Sequence, residues 1–167
     1  MAHPHKSPRA STQRLLSFDP DDAPDFYAMR LDGTCLEPEI EDGTLILVSR
    51  VEPYRIGDFV VVYLRPEALP PSGYQAQVKR LVMANRPPKP GTPEHLRSNV
   101  APCIVIEQLN PHRYYTIPWE SVLAVHKCLG PVPANVRTYK ASRTEVRAMA
   151  KTRAAERSAA AAAGGAA

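Results

Sequence analysis

The chain is cut into short pieces. Between Phe26 and Pro131 every apolar run is stopped by a turn residue, and the stops are strong: Asp42-Gly43, Gly57-Asp58, Pro66, Asn110-Pro111 and Gly130-Pro131. Prolines number 18 in 167 residues, about twice the ~5% usual for proteins. Each fixes φ and removes a backbone donor, so this region holds no long helix. The runs between the stops are rich in Val, Ile, Leu and Tyr, which suit a half-buried pleated surface. Strands are predicted at Phe26–Leu31, Thr44–Ser49, Phe59–Leu64, Tyr74–Met83, Ile104–Gln108, Tyr114–Ile117 and Ser121–Cys128. Short strands this closely spaced predict a mostly β domain over residues 26–131.

The flanks differ. Residues 1–25 are rich in Pro, Ser, Asp and charge and are expected to form a flexible N-terminal arm. Residues 84–102 carry prolines at 87, 88, 90, 93 and 102 and read as a surface excursion from the domain. Residues 132–167 form a basic, Ala-rich tail, in which Ser142 and Glu145 match a helix capping box ahead of Val146–Ala163. Little apolar surface is available there for burial, so the expectation is a solvated tail whose helix forms in part or on a partner.

Charge follows the same division. The net charge is +4, but residues 1–25 contribute −1 (three basic, four acidic), 26–133 contribute 0 (eleven of each) and 134–167 contribute +5 (seven basic, two acidic). The body therefore has no excess of positive charge with which to grip phosphates, and nucleic acid is expected to associate only weakly, through the tail. No apolar run reaches the ~18 residues of a membrane span, and the first residues lack the apolar stretch of a signal peptide. Three cysteines without a C-x-x-C pair fit a reduced, cytoplasmic protein, and no metal or cofactor motif is present.

One segment carries chemistry. In Arg30-Leu31-Asp32-Gly33-Thr34-Cys35-Leu36-Glu37-Pro38 the strand residues end at Gly33, a nucleophile-capable side chain follows, and Pro38 closes the segment. Glu41-Asp42-Gly43-Thr44 is then a tight turn into Leu45-Ile46-Leu47-Val48. Farther on, Gln77-Val78-Lys79-Arg80-Leu81 places Lys79 in a β run, with Val78 and Arg80 on one face and Gln77 and Leu81 sharing the lysine's own.

These elements, with Gly57-Asp58-Phe59-Val60-Val61-Val62, Leu109-Asn110-Pro111 and the closing run Val122–Cys128, resemble the LexA/UmuD type of self-cleaving peptidase domain. That fold is shared with bacterial signal peptidases. The likeness covers residues 26–131 and implies a LexA/signal peptidase-like fold. It implies Cys35 as nucleophile, Lys79 as its basic partner, and backbone N–H groups of Thr34 and Cys35 as oxyanion donors. The substrate would be a peptide segment of this chain or a partner chain, and a homodimer fits the layout of the short family members.

Two departures stand out. The family serine is here Cys35. A thiol, with an ordinary pKa of ~8.5, ionises more easily than a hydroxyl, so a nearby lysine would give a thiolate–ammonium pair able to attack a carbonyl. Alternatively Cys35 is a small pocket-filling residue in a catalytically inactive regulatory or dimerisation module. Second, the Ala-Gly or Cys-Gly at which the family cuts is absent from residues 1–32, and the single Ala-Gly, Ala163-Gly164, lies in the tail. Residues 1–25 are also too few and too polar for a winged helix-turn-helix, so no operator-binding domain is expected there. His126 and His112 are the remaining candidates for a thiol partner, ranked below Lys79.

Overall fold

The computed structural model describes residues 19–94, 98–138 and 142–164. The expected arm over 1–18 lies outside the described residues. The body is an antiparallel sheet of seven strands: β1 (Phe26–Arg30), β2 (Leu45–Ser49), β3 (Phe59–Leu64), β4 (Ala76–Asn85), β5 (Cys103–Gln108), β6 (Arg113–Pro118) and β7 (Val122–Pro131). Their order across the sheet is β1-β2-β7-β3-β4-β5-β6. Hairpin neighbours pair directly, while β7 returns to fill the gap between β2 and β3. Each predicted strand is present. The largest displacement is at the ends of β4 and β7, which run on to Asn85 and Pro131 because β5 and β2 are there to pair with them.

Alternation along β3 builds two cores. Val61 and Tyr63 join Leu31, Leu36, Ile40, Ile46, Val48 and Val78 in a first cluster. Val60, Val62 and Leu64 join Leu81, Ile104, Ile106 and Val122 in a second. A strand covered on both faces loses the polar alternation of a half-exposed one, which is why Phe59–Leu64 reads as a nearly unbroken apolar run.

Both flanks hold more structure than composition suggests. Residues 19–25 were expected within the mobile arm, yet Pro20–Asp22 forms a single 3-10 turn capped by Asp19, with Asp22 and Ala23 buried. The tail forms one helix, α1 (Arg143–Gly164). Its start is the predicted capping box: Glu145 N–H donates to Ser142 Oγ at 3.2 Å and Ser142 N–H to Glu145 Oε2 at 2.7 Å. Instead of standing free, α1 docks on the 3-10 turn. Arg153 pairs with Asp25 at 2.9 Å and Arg157 pairs with the buried Asp22. Two acidic residues of the expected arm, Asp22 and Asp25, are the helix's counter-ions. No helix among the described residues is long and apolar enough to cross a membrane.

Candidate functional site

Residues Asp32–Ile40 leave β1, cross the first core cluster and return to β2. Leu36 and Ile40 anchor this loop by burial. Gly33 opens it at φ +101°, in the left-handed region that a side chain disfavours, although a Cβ there would meet nothing within 4 Å. The constraint is therefore conformational. Asp42, from the following turn, accepts the Gly33 N–H on Oδ1 at 2.7 Å. The far side of the loop is held by the β5–β6 turn, where the N–H groups of Leu109 and Asn110 both donate to the Cys35 carbonyl, at 2.9 and 3.2 Å.

This clamp brings Cys35 to a free stretch of sheet edge. β4 pairs with β3 from Ala76 onward but with β5 only from Arg80. Over Ala76–Lys79, among the described residues, one side of β4 has no neighbouring strand. Leu64 N–H donates to Gln75 O and Leu81 N–H to Asp58 O, so the odd-numbered residues of this stretch bond toward β3. The backbone groups of Ala76 and Val78 point the other way. The Cys35 thiol donates to one of them, the Val78 carbonyl, at 3.9 Å.

A cleft of about 840 Å³ wraps this edge, and Cys35 and Lys79 both line it, with Met29, Tyr74, Tyr115 and Ile117 among its other walls. The two functional side chains approach it from different sides of the sheet. Cys35 packs half-buried against the first cluster, as does its hydrogen-bond partner's residue, Val78. Lys79 alternates to the opposite face, where its cross-strand partner is the fully buried Val60 of the second cluster. Lys79 is 7% exposed, and among the described residues no hydrogen bond or ion pair engages its amine. The N–H groups of Thr34 and Cys35 likewise donate no hydrogen bond among the described residues; of these two residues Cys35 lines the cleft and Thr34 does not.

The histidines do not join them. His126, on β7, is 3% exposed and turned into a network in which its Nδ1 meets the Tyr27 hydroxyl at 2.7 Å and Tyr27 in turn meets the Tyr63 hydroxyl. Burial, with the nearby Arg50 charge, pulls the His126 pKa down to about 4, so the ring is neutral. Burial pushes the Tyr63 phenol up to about 12. His112 sits exposed beyond the β5–β6 turn, its Nε2 paired with Glu107 Oε1 at 2.7 Å, which holds the Glu107 carboxyl below its usual range. Neither ring borders the cleft. No cluster of His, Cys, Asp or Glu among the described residues is arranged to hold a metal ion.

Sequence reasoning missed Asp42 as the residue that fixes Gly33, and the donation from Tyr74 to Asp32 on the cleft wall. Only the Asp-Gly turn signal pointed toward the first. Compared with protein-family models, curated proteins and solved structures, the chain matches none.

Proposed function

We propose that the chain is a LexA/UmuD-like peptidase domain whose cleft takes an extended peptide segment, of its own or of a partner chain, with Cys35 as nucleophile and Lys79 as proton carrier. The observation that carries this reading is the shared cleft. Cys35 sulfur reaches the carbonyl of the residue immediately before Lys79, and the two residues line one cavity from opposite faces of β4. Three features support it. The unpaired edge at Ala76 and Val78 offers backbone groups to an added strand. The unengaged N–H groups of Thr34 and Cys35 suit a developing oxyanion. Lys79 is buried and, among the described residues, no ion pair engages its amine, which leaves it uncommitted to a structural partner.

Alkylation tests the pair. The rate of Cys35 modification by iodoacetamide is measured against pH in the wild type and in Lys79→Met. A profile that shifts to higher pH without the lysine is the expected result, because the ammonium no longer favours the thiolate. Identical profiles overturn the pairing. Intact-mass analysis after incubation from neutral pH to about pH 10 then looks for chain cleavage that Cys35→Ala abolishes.

A second reading rests on the packing of Cys35 against the first core cluster. As a small hydrophobe there, it would leave a catalytically silent module that binds a peptide strand or a second copy along the same edge. Peptide capture that survives Cys35→Ala, with no cleavage by either protein, supports this reading.

A further inference from the structure

We propose that Arg80 is the positioning residue of the cleft: its guanidinium, forked between Glu39 and Glu107, fixes the direction in which the Cys35 loop presents its thiol to the open edge of β4. The inference deepens the peptidase-like reading above and rests on it for the role of Cys35, but it requires no contact between Cys35 and Lys79.

Register puts Arg80 in place. It is paired across the sheet with Phe59 of β3 on one side and Glu107 of β5 on the other, so the three side chains form a row on one face. Two residues earlier, the same face of β4 carries Val78, the residue whose carbonyl accepts the Cys35 thiol. The guanidinium lies 5.2 Å from the centre of the Phe59 ring, which supports it from one side. Its Nη2 pairs with Glu39 of the Cys35 loop, and its Nη1 stands 3.4 Å from Glu107 Oε2. His112, on the other Glu107 oxygen, draws that carboxyl below its usual range and keeps it an anion at neutral pH.

Both ends of one short turn are thereby tied to β5 and the turn that follows it. Cys35 begins the turn, and its carbonyl accepts the N–H groups of Leu109 and Asn110. Glu39 lies at its end, where the N–H groups of Glu39 and Ile40 both donate to the Leu36 carbonyl, at 3.0 and 3.1 Å. Arg80 links Glu39 to Glu107. Burial of Leu36 and Ile40 fixes the depth of the loop, but burial has no direction. The planar fork does. Ion pairs as exposed as these add little to global stability. What they hold is an angle, and a displacement of about 1 Å at a reacting atom can cost about a hundredfold in rate.

Iodoacetamide alkylation of each cysteine is followed by peptide mass spectrometry, at a pH where thiols are ionised. Arg80→Met should speed the alkylation of Cys35 about fivefold, the weakening that loss of two exposed pairs allows, because the thiol swings off the Val78 carbonyl. Cys103 and Cys128, both buried, should stay slow. Glu39→Gln should reproduce part of the gain alone and add nothing in the Arg80→Met background. Arg80→Lys keeps the charge and loses the fork, so it should fall between the wild type and Arg80→Met. A Cys35 rate in Arg80→Met equal to the wild type's overturns the inference. So does a Glu39→Gln effect that persists in full once Arg80 is gone. Should Arg80→Met speed all three cysteines alike, Glu39→Gln decides, since it alters an exposed side chain: acceleration confined to Cys35 supports the inference, and anything else overturns it. None of these outcomes depends on Lys79→Met, whose unmoved profile would overturn the pairing with Cys35 and leave the part played by Arg80 standing.

Discussion

His126 shows how a single buried ring sets a pH dependence. Tyr27 from β1, Tyr63 from β3 and Arg50 just past β2 surround it, and among the described residues its Nε2 has no hydrogen-bond partner. Charging the ring would place a cation near the Arg50 guanidinium in a space sealed from water. Its pKa falls from 6.5 to about 4, so between these values the unfolded chain binds a proton that the folded chain refuses. Stability is therefore complete above about pH 6.5 and is lost as pH falls toward 4, by roughly 3 kcal/mol in all. Urea unfolding across that window should show this slope, and His126→Gln should flatten it. Asp42 acts locally by a different means. Asp42→Ala strips the acceptor from Gly33 N–H and should cost about 1 kcal/mol, while broadening the alkylation profile of Cys35 because the turn that aims the loop is loosened. Asp42→Asn keeps an acceptor oxygen and should restore both. A restored stability without a restored profile would show that Asp42 supports the fold and not the aim of Cys35.

At the scale of elements, α1 depends on charge. Nine of its 22 residues are Ala and five are basic, with little else that is apolar to bury, so contacts with the body decide how firmly it is held. The hold is two ion pairs, Arg153 with Asp25 and Arg157 with Asp22. Asp25 is shared with Arg50 at 2.7 Å, which with Arg153 draws its carboxyl below the usual range. Replacing Arg153 and Arg157 together by Gln should lower the helical signal in far-UV circular dichroism and make what remains insensitive to salt, whereas the wild-type signal should fall as salt rises. A helical signal equal to the wild type's at every salt concentration would show that the ion pairs do not hold α1. Strands were legible in the sequence because each is bounded by a residue that cannot continue it and filled by residues that suit a pleat. The docking of α1 was not. Asp19, Asp21, Asp22 and Asp25 look solvated until a distant Arg157 covers Asp22, and no local pattern reveals a partner so far along the chain. The capping box was legible, because both of its partners lie within one turn.

Across the whole molecule, the cleft and the tail occupy separate territories. The cleft walls come from residues between Met29 and Ser121, and none comes from α1. The family resemblance implied Cys35 and Lys79 as partners; both residues line one cleft, from opposite faces of β4. Periodicity alone would have separated them, since Cys35 lies with Val78 and the first cluster while Lys79 alternates to the second. They share a cavity because β5 begins pairing only at Arg80 and leaves the edge of β4 open beside them, a pairing boundary that composition does not encode. This separation predicts the outcome of deleting residues 139–167. Asp22 would lose Arg157 and stand as a buried carboxylate with no counter-ion, so the melting temperature should fall; loss of such a partner costs about 3 kcal/mol where the site is closed, less once water enters. β7 ends before the deletion, and the Val132 N–H to Leu45 carbonyl bond at 2.9 Å is retained, so unfolding should stay cooperative. The deletion removes six basic and two acidic residues, a net +4, which leaves the remaining chain neutral. Weak, salt-dependent retention on a polyanion column should disappear with it. The pH profile of Cys35 alkylation should not move. A profile that moved as far as it does in Lys79→Met would place the tail in the working of the cleft and dissolve the division between body and appendage.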